Sequence, residues 1–213
     1  MTFDDLPAWH PRLHKRQSNN QTSNATSPDI TTYPPVNLVG PYHHMLFSNG
    51  YVLAPKPAEP FQPVSPPYVA AFVDPVKAKA PTNTPNTIEP GEFAEDNGGN
   101  PSFWFDPVSA AVGCDSPSSD CTLEATAWAW NSSIQDESPV HQHNYTLPPC
   151  QGEDCKLKHI DFPDNFANLT GVQFRAIADS KPRMFFVDNL NMRWSNNSCA
   201  AGQQRDTATR SGR

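Results

Sequence analysis

Residues 121–131 read CTLEATAWAWN, and their side chains change character with every step. Leu123, Ala125, Ala127 and Ala129 fall into one set, and Glu124, Thr126, Trp128 and Trp130 into the other. A period of two is the signature of a β-strand, because only an extended chain puts residues i and i+2 on one face. One face of this strand is therefore small and apolar, while the other ends in two neighbouring tryptophans. The sequence leaves open which tryptophan meets solvent.

The same pattern extends along the chain. In TGVQFRAIA (170–178), Val172, Phe174, Ala176 and Ala178 alternate with Gln173, Arg175 and Ile177. SFWFDPVSAAV (102–112), YVAAFV (68–73) and MFFVDNLNMRW (184–194) read as further strands. CKLKHIDFP (155–163) is less regular and predicts a bulge or a change of face near His159. Asn49-Gly50 is a tight-turn signal inside YHHMLFSNGYVL (42–53), and TFDDL (2–6) is a short opening strand.

Between these runs lie polar, proline-rich stretches, and 24 prolines in 213 residues exclude long helices. The pattern predicts an all-β fold, an antiparallel β-sandwich or jelly roll with long irregular loops. It forms one domain over residues 1–199, with a mobile loop at about 7–35 and a disordered tail at 200–213.

A net charge of −7 without clustered Lys and Arg excludes nucleic acid as a partner. The longest apolar run is only a few residues, which excludes a membrane-inserted helix. Cysteines at 114, 121, 150, 155 and 199 include two close pairs around polar loops, predicting bridges Cys114–Cys121 and Cys150–Cys155 and leaving Cys199 without an assigned partner. The C-x2-C knuckles that zinc needs are missing.

Glycosylation sequons occur at Asn20, Asn24, Asn131, Asn144, Asn168 and Asn196. Bridges and sequons together predict an extracellular, secreted protein. MTFDDLPAWHPRLHKR has no apolar signal core, so the expectation is a piece of a longer secreted precursor in which Lys15-Arg16 is a candidate processing site.

TFDDLP, HHMLFSNGYVLAP, FQPVSPPYVAAF, FWFDPVSAAVGC and MFFVDNLNMRWSNNSC together resemble a family of fungal secreted domains of unknown function. Their order also resembles jelly rolls of the galactose-binding and carbohydrate-binding-module type. That resemblance implies adjacent first and last strands and a habit of binding sugars. It further implies a structural calcium held by acids of those strands, here Asp4 or Asp5 with Asp188 and Asn189. A hard divalent ion wants six to eight oxygens and relieves the repulsion between such acids.

Sugar recognition needs planar aromatics beside hydrogen-bonding groups. Trp128, Trp130 and Tyr145 are the candidate ligand-binding residues, with Tyr145 in loop-like sequence. Trp104, with aromatic neighbours, reads as core. His141 and His143, with His43 and His44, carry metal-ligand spacing but lie in loop-like sequence too, where a solvated role is the simpler reading. Asp106, Glu124 and Asp188 are candidate paired carboxylates for a glycosidase, although nothing in the sequence selects them. No catalytic residue is assigned. The expectation is a non-catalytic extracellular module for cell-wall or other glycans, the alternative being a glycan-active hydrolase built on paired carboxylates.

Overall fold

A computed structural model describes residues 1, 42–48, 50–55, 61–66, 68–72, 89–95, 99–151 and 155–211. The predicted opening strand with Asp4 and Asp5, the loop at 7–35, Lys15-Arg16, Asn20 and Asn24 lie outside the described residues. Among the described residues, thirteen strands and one helix follow in chain order. They are β1 (Met45–Phe47), β2 (Tyr51–Pro55), β3 (Phe61–Gln62), β4 (Tyr68–Phe72), β5 (Glu92–Glu95), β6 (Phe105–Cys114) and β7 (Cys121–Asn131). Then come β8 (Asp136–Leu147), β9 (Cys155–Lys156), β10 (Lys158–Asp161), β11 (Gly171–Ala178), β12 (Lys181–Arg183), β13 (Phe185–Trp194) and α1 (Cys199–Ser211).

Two antiparallel sheets form a sandwich. The larger has the order β1-β5-β11-β7-β8, with β12 paired to β11, and the smaller has the order β10-β6-β13-β4-β2. The expected all-β sandwich is therefore what the chain builds. Asn49 of the turn signal lies outside the described residues, but the Tyr51 N–H donates to the Ser48 carbonyl at 3.4 Å across it; β1 pairs with β5 and β2 with β4, so the chain changes layer there.

The alternation read in β7 sets the core. Leu123, Ala125 and Ala127 have no exposed surface. Such short side chains leave room in the interlayer for large ones. Phe93 and Phe174 of the larger sheet meet Phe105 and Phe185 of the smaller, with centroids 6.2 and 5.8 Å apart. Tyr51 stands edge-on to Phe47, at 5.3 Å, and to Phe185, at 5.9 Å. Each fully enclosed aromatic contributes about 2–3 kcal/mol through lost apolar exposure. Cys114–Cys121 closes the crossing from β6 to β7 and so ties one layer to the other.

Two prolines sit where the ladders break, as a missing N–H requires. Pro107 in β6 faces Met192, beside register shifts in β13 between Asp188 and Met192, and Asn189 there has φ 47°. Pro139 in β8 faces Trp128, next to the shift after Ala127. Around His159, by contrast, the β10–β6 register is regular, so there is no bulge, but the predicted change of face occurs: Leu157 packs against the outer cluster, while Ile160 and Phe162 enter the main core.

The smaller sheet is covered on its outward face as well. Phe61 and Phe186 pack at 4.8 Å with Val69 and Ala71. The ring of Phe61 lies so close to Gly113 that a Cβ there would fall 2.5 Å from it. β3 pairs in parallel with β9, whose Cys155 is bridged to Cys150 as predicted.

Asp188 fastens this cover. Its Oδ2 accepts the Val64 and Ser65 N–H groups at 2.8 and 2.9 Å, and its Oδ1 accepts the Asn189 N–H at 2.7 Å. An acid in the middle of a strand is thus the clamp for residues 61–66. Met1 packs against the main core, and its amino group donates to the Leu190 carbonyl.

The expected disordered tail is instead the helix α1. Ser198 caps it, accepting the Ala201 N–H at 3.2 Å, and free, exposed Cys199 opens it. Arg205 anchors it: the guanidinium lies 4.9 Å from the centroid of Trp194 and donates to the carbonyls of Ser102 and Asn196. The apolar pattern is too weak to reveal this helix, because polar anchors hold it, Arg205 and the Gln204 oxygen that accepts the Ser102 hydroxyl, beside the small buried Ala201.

Asp188→Ala leaves three backbone donors without their acceptor and is expected to lower stability by about 3 kcal/mol in urea denaturation. Amide exchange at Val64 and Ser65 accelerates in the same variant. A loss under about 1 kcal/mol would show that water replaces the carboxylate at little cost.

Candidate functional site

Sequence-predicted residues are dispersed by the fold. Trp128 and Trp130 are half-buried on the face of β7 opposite its alanines. Trp130 has the Gly99 backbone laid against its ring: a Cβ at 99 would come within 2.4 Å. Trp128 pairs with Gly171 of β11 on one side and Pro139 of β8 on the other, and its indole N–H is buried without a hydrogen-bond partner. Trp104, expected in the core, is only half-buried.

Tyr145, His141 and His143 are not in a loop; all three belong to β8. This strand escapes a hydrophobicity pattern because most of it is exposed on both faces. Tyr145 donates to the Asp161 carbonyl at 3.0 Å and stands edge-on to His143 and Phe162. Burial, then the Asp161 charge, pushes its hydroxyl up to about 12. It is a latch between the rims of the two sheets. His43 and His44 lie in the Tyr42–Met45 turn with positive φ, His44 against Phe103 and Trp194.

The three carboxylates named from sequence do not converge. Asp188 is the clamp described above. Glu124 lies on β7 between Arg175 and Asn144. Asp106 holds the Ser195 hydroxyl at 2.5 Å, the Asn168 N–H at 2.8 Å and the Arg193 Nε at 3.1 Å. Burial presses its pKa upward, but these donors prevail and hold it below its ordinary value. The described residues contain no group of three or more His, Cys, Asp or Glu placed to hold a metal ion.

A different acidic pair is brought together. Glu92 of β5 is 1% exposed. Its Oε2 accepts the Glu89 N–H at 2.6 Å, while its Oε1 has no partner. That oxygen lies over Gly171, where a Cβ would stand only 2.2 Å away, so glycine is required for the carboxyl to lie flat on the sheet. Glu137 of β8 is near enough to repel it.

Burial first, the Glu137 charge second and the Glu89 charge last push Glu92 up to about 8, against the Glu89 N–H bond, which pulls it down. Glu137 is raised too, by burial and by Asp136, with the hydroxyl of enclosed Thr170 beside it pulling the other way, short of a full hydrogen bond. Behind the pair, Tyr51 donates to the Gly91 carbonyl at 2.9 Å, and Gln173 donates to the Pro90 carbonyl at 2.9 Å. The site is therefore a patch on the outer side of the larger sheet: an indole, a glycine floor, and two acids of raised proton affinity. Glu92 was missed because β5 has four residues in a polar stretch; Pro90-Gly91 before Phe93 was its only local signal.

The chain matches, over residues 1–205, the family described as a domain of unknown function, DUF7371. It belongs to this family. Neither the curated proteins nor the solved structures compared with the chain gave a match.

The Glu92 geometry sets a pH dependence. Below about pH 4.5 the carboxyl is protonated in folded and unfolded chains alike. Between there and about pH 8 the unfolded chain gives up its proton while the folded one keeps it, so stability falls as pH rises; above that the difference is constant. The full span is roughly 5 kcal/mol. Glu92→Gln, which mimics the protonated acid, is expected to flatten most of this decline in denaturation midpoints taken from pH 5 to 9. An unchanged slope would mean that Glu92 ionises freely.

Proposed function

We propose that the chain is a non-catalytic binding module of a secreted, glycosylated fungal protein, related in its winding to carbohydrate-binding jelly rolls, and that its ligand is a cell-wall or other glycan. The observation that carries this reading is Trp128. It is a half-buried indole on the outward side of the larger sheet, its N–H enclosed and its remaining edge open, next to Thr126, with Gln142 across the strand pair and Glu137 nearby. An aromatic plane offers a sugar ring its apolar face, and the neighbouring amide, hydroxyl and carboxyl match sugar hydroxyls. Two disulfides, and exposed sequon asparagines at 144 and 168, support an extracellular setting.

The hydrolase reading draws on the Glu92–Glu137 pair. Glu92, however, is enclosed and bonded to the Glu89 backbone, out of reach of a polymer. Binding without turnover is the reading that this geometry favours.

A glycan array combined with a reducing-sugar release assay tests it. Wild type is expected to bind at least one polysaccharide class and release no product, and Trp128→Ala is expected to weaken that binding roughly tenfold. Silence across the array overturns the proposal, and product release transfers it to the hydrolase reading.

A further inference from the structure

Among the described residues β8 ends the larger sheet, with β7 its only ladder partner. It runs for 12 residues, and every residue from Pro139 to Asn144 is exposed. A free edge of this length is a template for another strand, and proteins guard such edges with charge, proline, bulges or a cover. The first half of β8 has these guards in Asp136, Glu137, Pro139 and the bulge at Val140. The second half, His141–Leu147, contains no Asp, Glu, Lys or Arg of its own, and a borrowed charge, the Lys158 ammonium on the Thr146 carbonyl at 2.8 Å, meets only its end.

It is also compatible with itself. Two copies paired antiparallel about Asn144 would set His141 opposite Leu147, Gln142 opposite Thr146 and His143 opposite Tyr145, which uses only the half free of proline, acids and the bulge. What the unguarded half does contain is the sequon Asn144-Tyr145-Thr146, with both Asn144 and Thr146 exposed. At the other described sequons the local groups are engaged. Asn131 Oδ1 holds the Ser133 N–H, Asn196 Oδ1 holds the Ser198 N–H, and Thr170 is enclosed.

We infer that Asn144 carries an N-linked glycan that covers the uncharged half of β8 and keeps two copies of the chain from pairing edge to edge. The inference rests on the extracellular reading above. In the transfer, the Asn144 amide nitrogen bonds to the anomeric carbon of a lipid-pyrophosphate-linked oligosaccharide. The carbon–oxygen bond to the pyrophosphate breaks, the lipid pyrophosphate leaves, and the amide gives up one proton. The attached sugar is bulky and strongly hydrated, and a second strand cannot approach through it.

The test is expression behind a secretion signal in a eukaryotic host, with peptide mass mapping of each sequon and light scattering at micromolar to millimolar concentration. Wild type is expected to be occupied at Asn144 and monomeric. Thr146→Ala, which removes this sequon alone and leaves the Thr146 backbone contact with Lys158 intact, is expected to self-associate. Adding Asn144→Lys, which places two ammonium groups face to face in the paired edges, is expected to restore the monomer. A bare Asn144 beside occupied sequons overturns the inference and leaves the extracellular reading standing, whereas bare sequons throughout count against both. A Thr146→Ala protein that stays monomeric at every concentration overturns the guarding role.

Discussion

A carboxyl group can be enclosed in protein only if donors replace its water or if it keeps its proton. Both solutions occur here, on opposite outer sides of the sandwich. Asp188 accepts three backbone N–H groups, and the segment that supplies two of them is thereby fixed over the smaller sheet. Glu92 has one such bond, to Glu89, and its second oxygen faces only the glycine floor at Gly171. The first acid behaves as a fastener. The second makes the turn before β5 sensitive to alkali, because ionising it would enclose a charge, and set it against Glu137, with the Glu89 N–H as its one donor among the described residues.

Asp188 is enclosed because the smaller sheet carries a further layer on its outward side. An ordinary antiparallel layer turns one face to water and keeps its polar residues there. In this chain the outward side of the smaller sheet carries Phe61, Val69, Ala71 and Phe186 beneath the short β3–β9 pair. Between the layers, the alanines of β7 and the phenylalanines opposite are complementary in volume. A larger residue at 125 or 127 would displace rings rather than fill space. The outer surface of β7 and β8 is the contrast: its indole and polar groups stay half-open.

The elements legible in the sequence were those whose evidence is local. β7 and β11 announce themselves by strict alternation, since one face of each is wholly enclosed. Both disulfides follow from short polar loops that cannot hold their cysteines far apart. β8 gave no such signal because a strand exposed on both faces has no reason to alternate. The helix α1 gave none because polar anchors, Arg205 on Trp194 and Gln204 on Ser102, substitute for an apolar stripe.

Sequence alone therefore determined the class of fold, the main strands and the bridges, all of them consequences of side-chain period and chain connectivity within about ten residues. Tertiary structure alone decided that Asp188 clamps a strap and that Glu92 and Glu137 approach each other across β11 and β7. It also decided that Trp128 faces Gly171. Those outcomes depend on which strands become neighbours and in what register, and register is set by the whole of the interlayer packing.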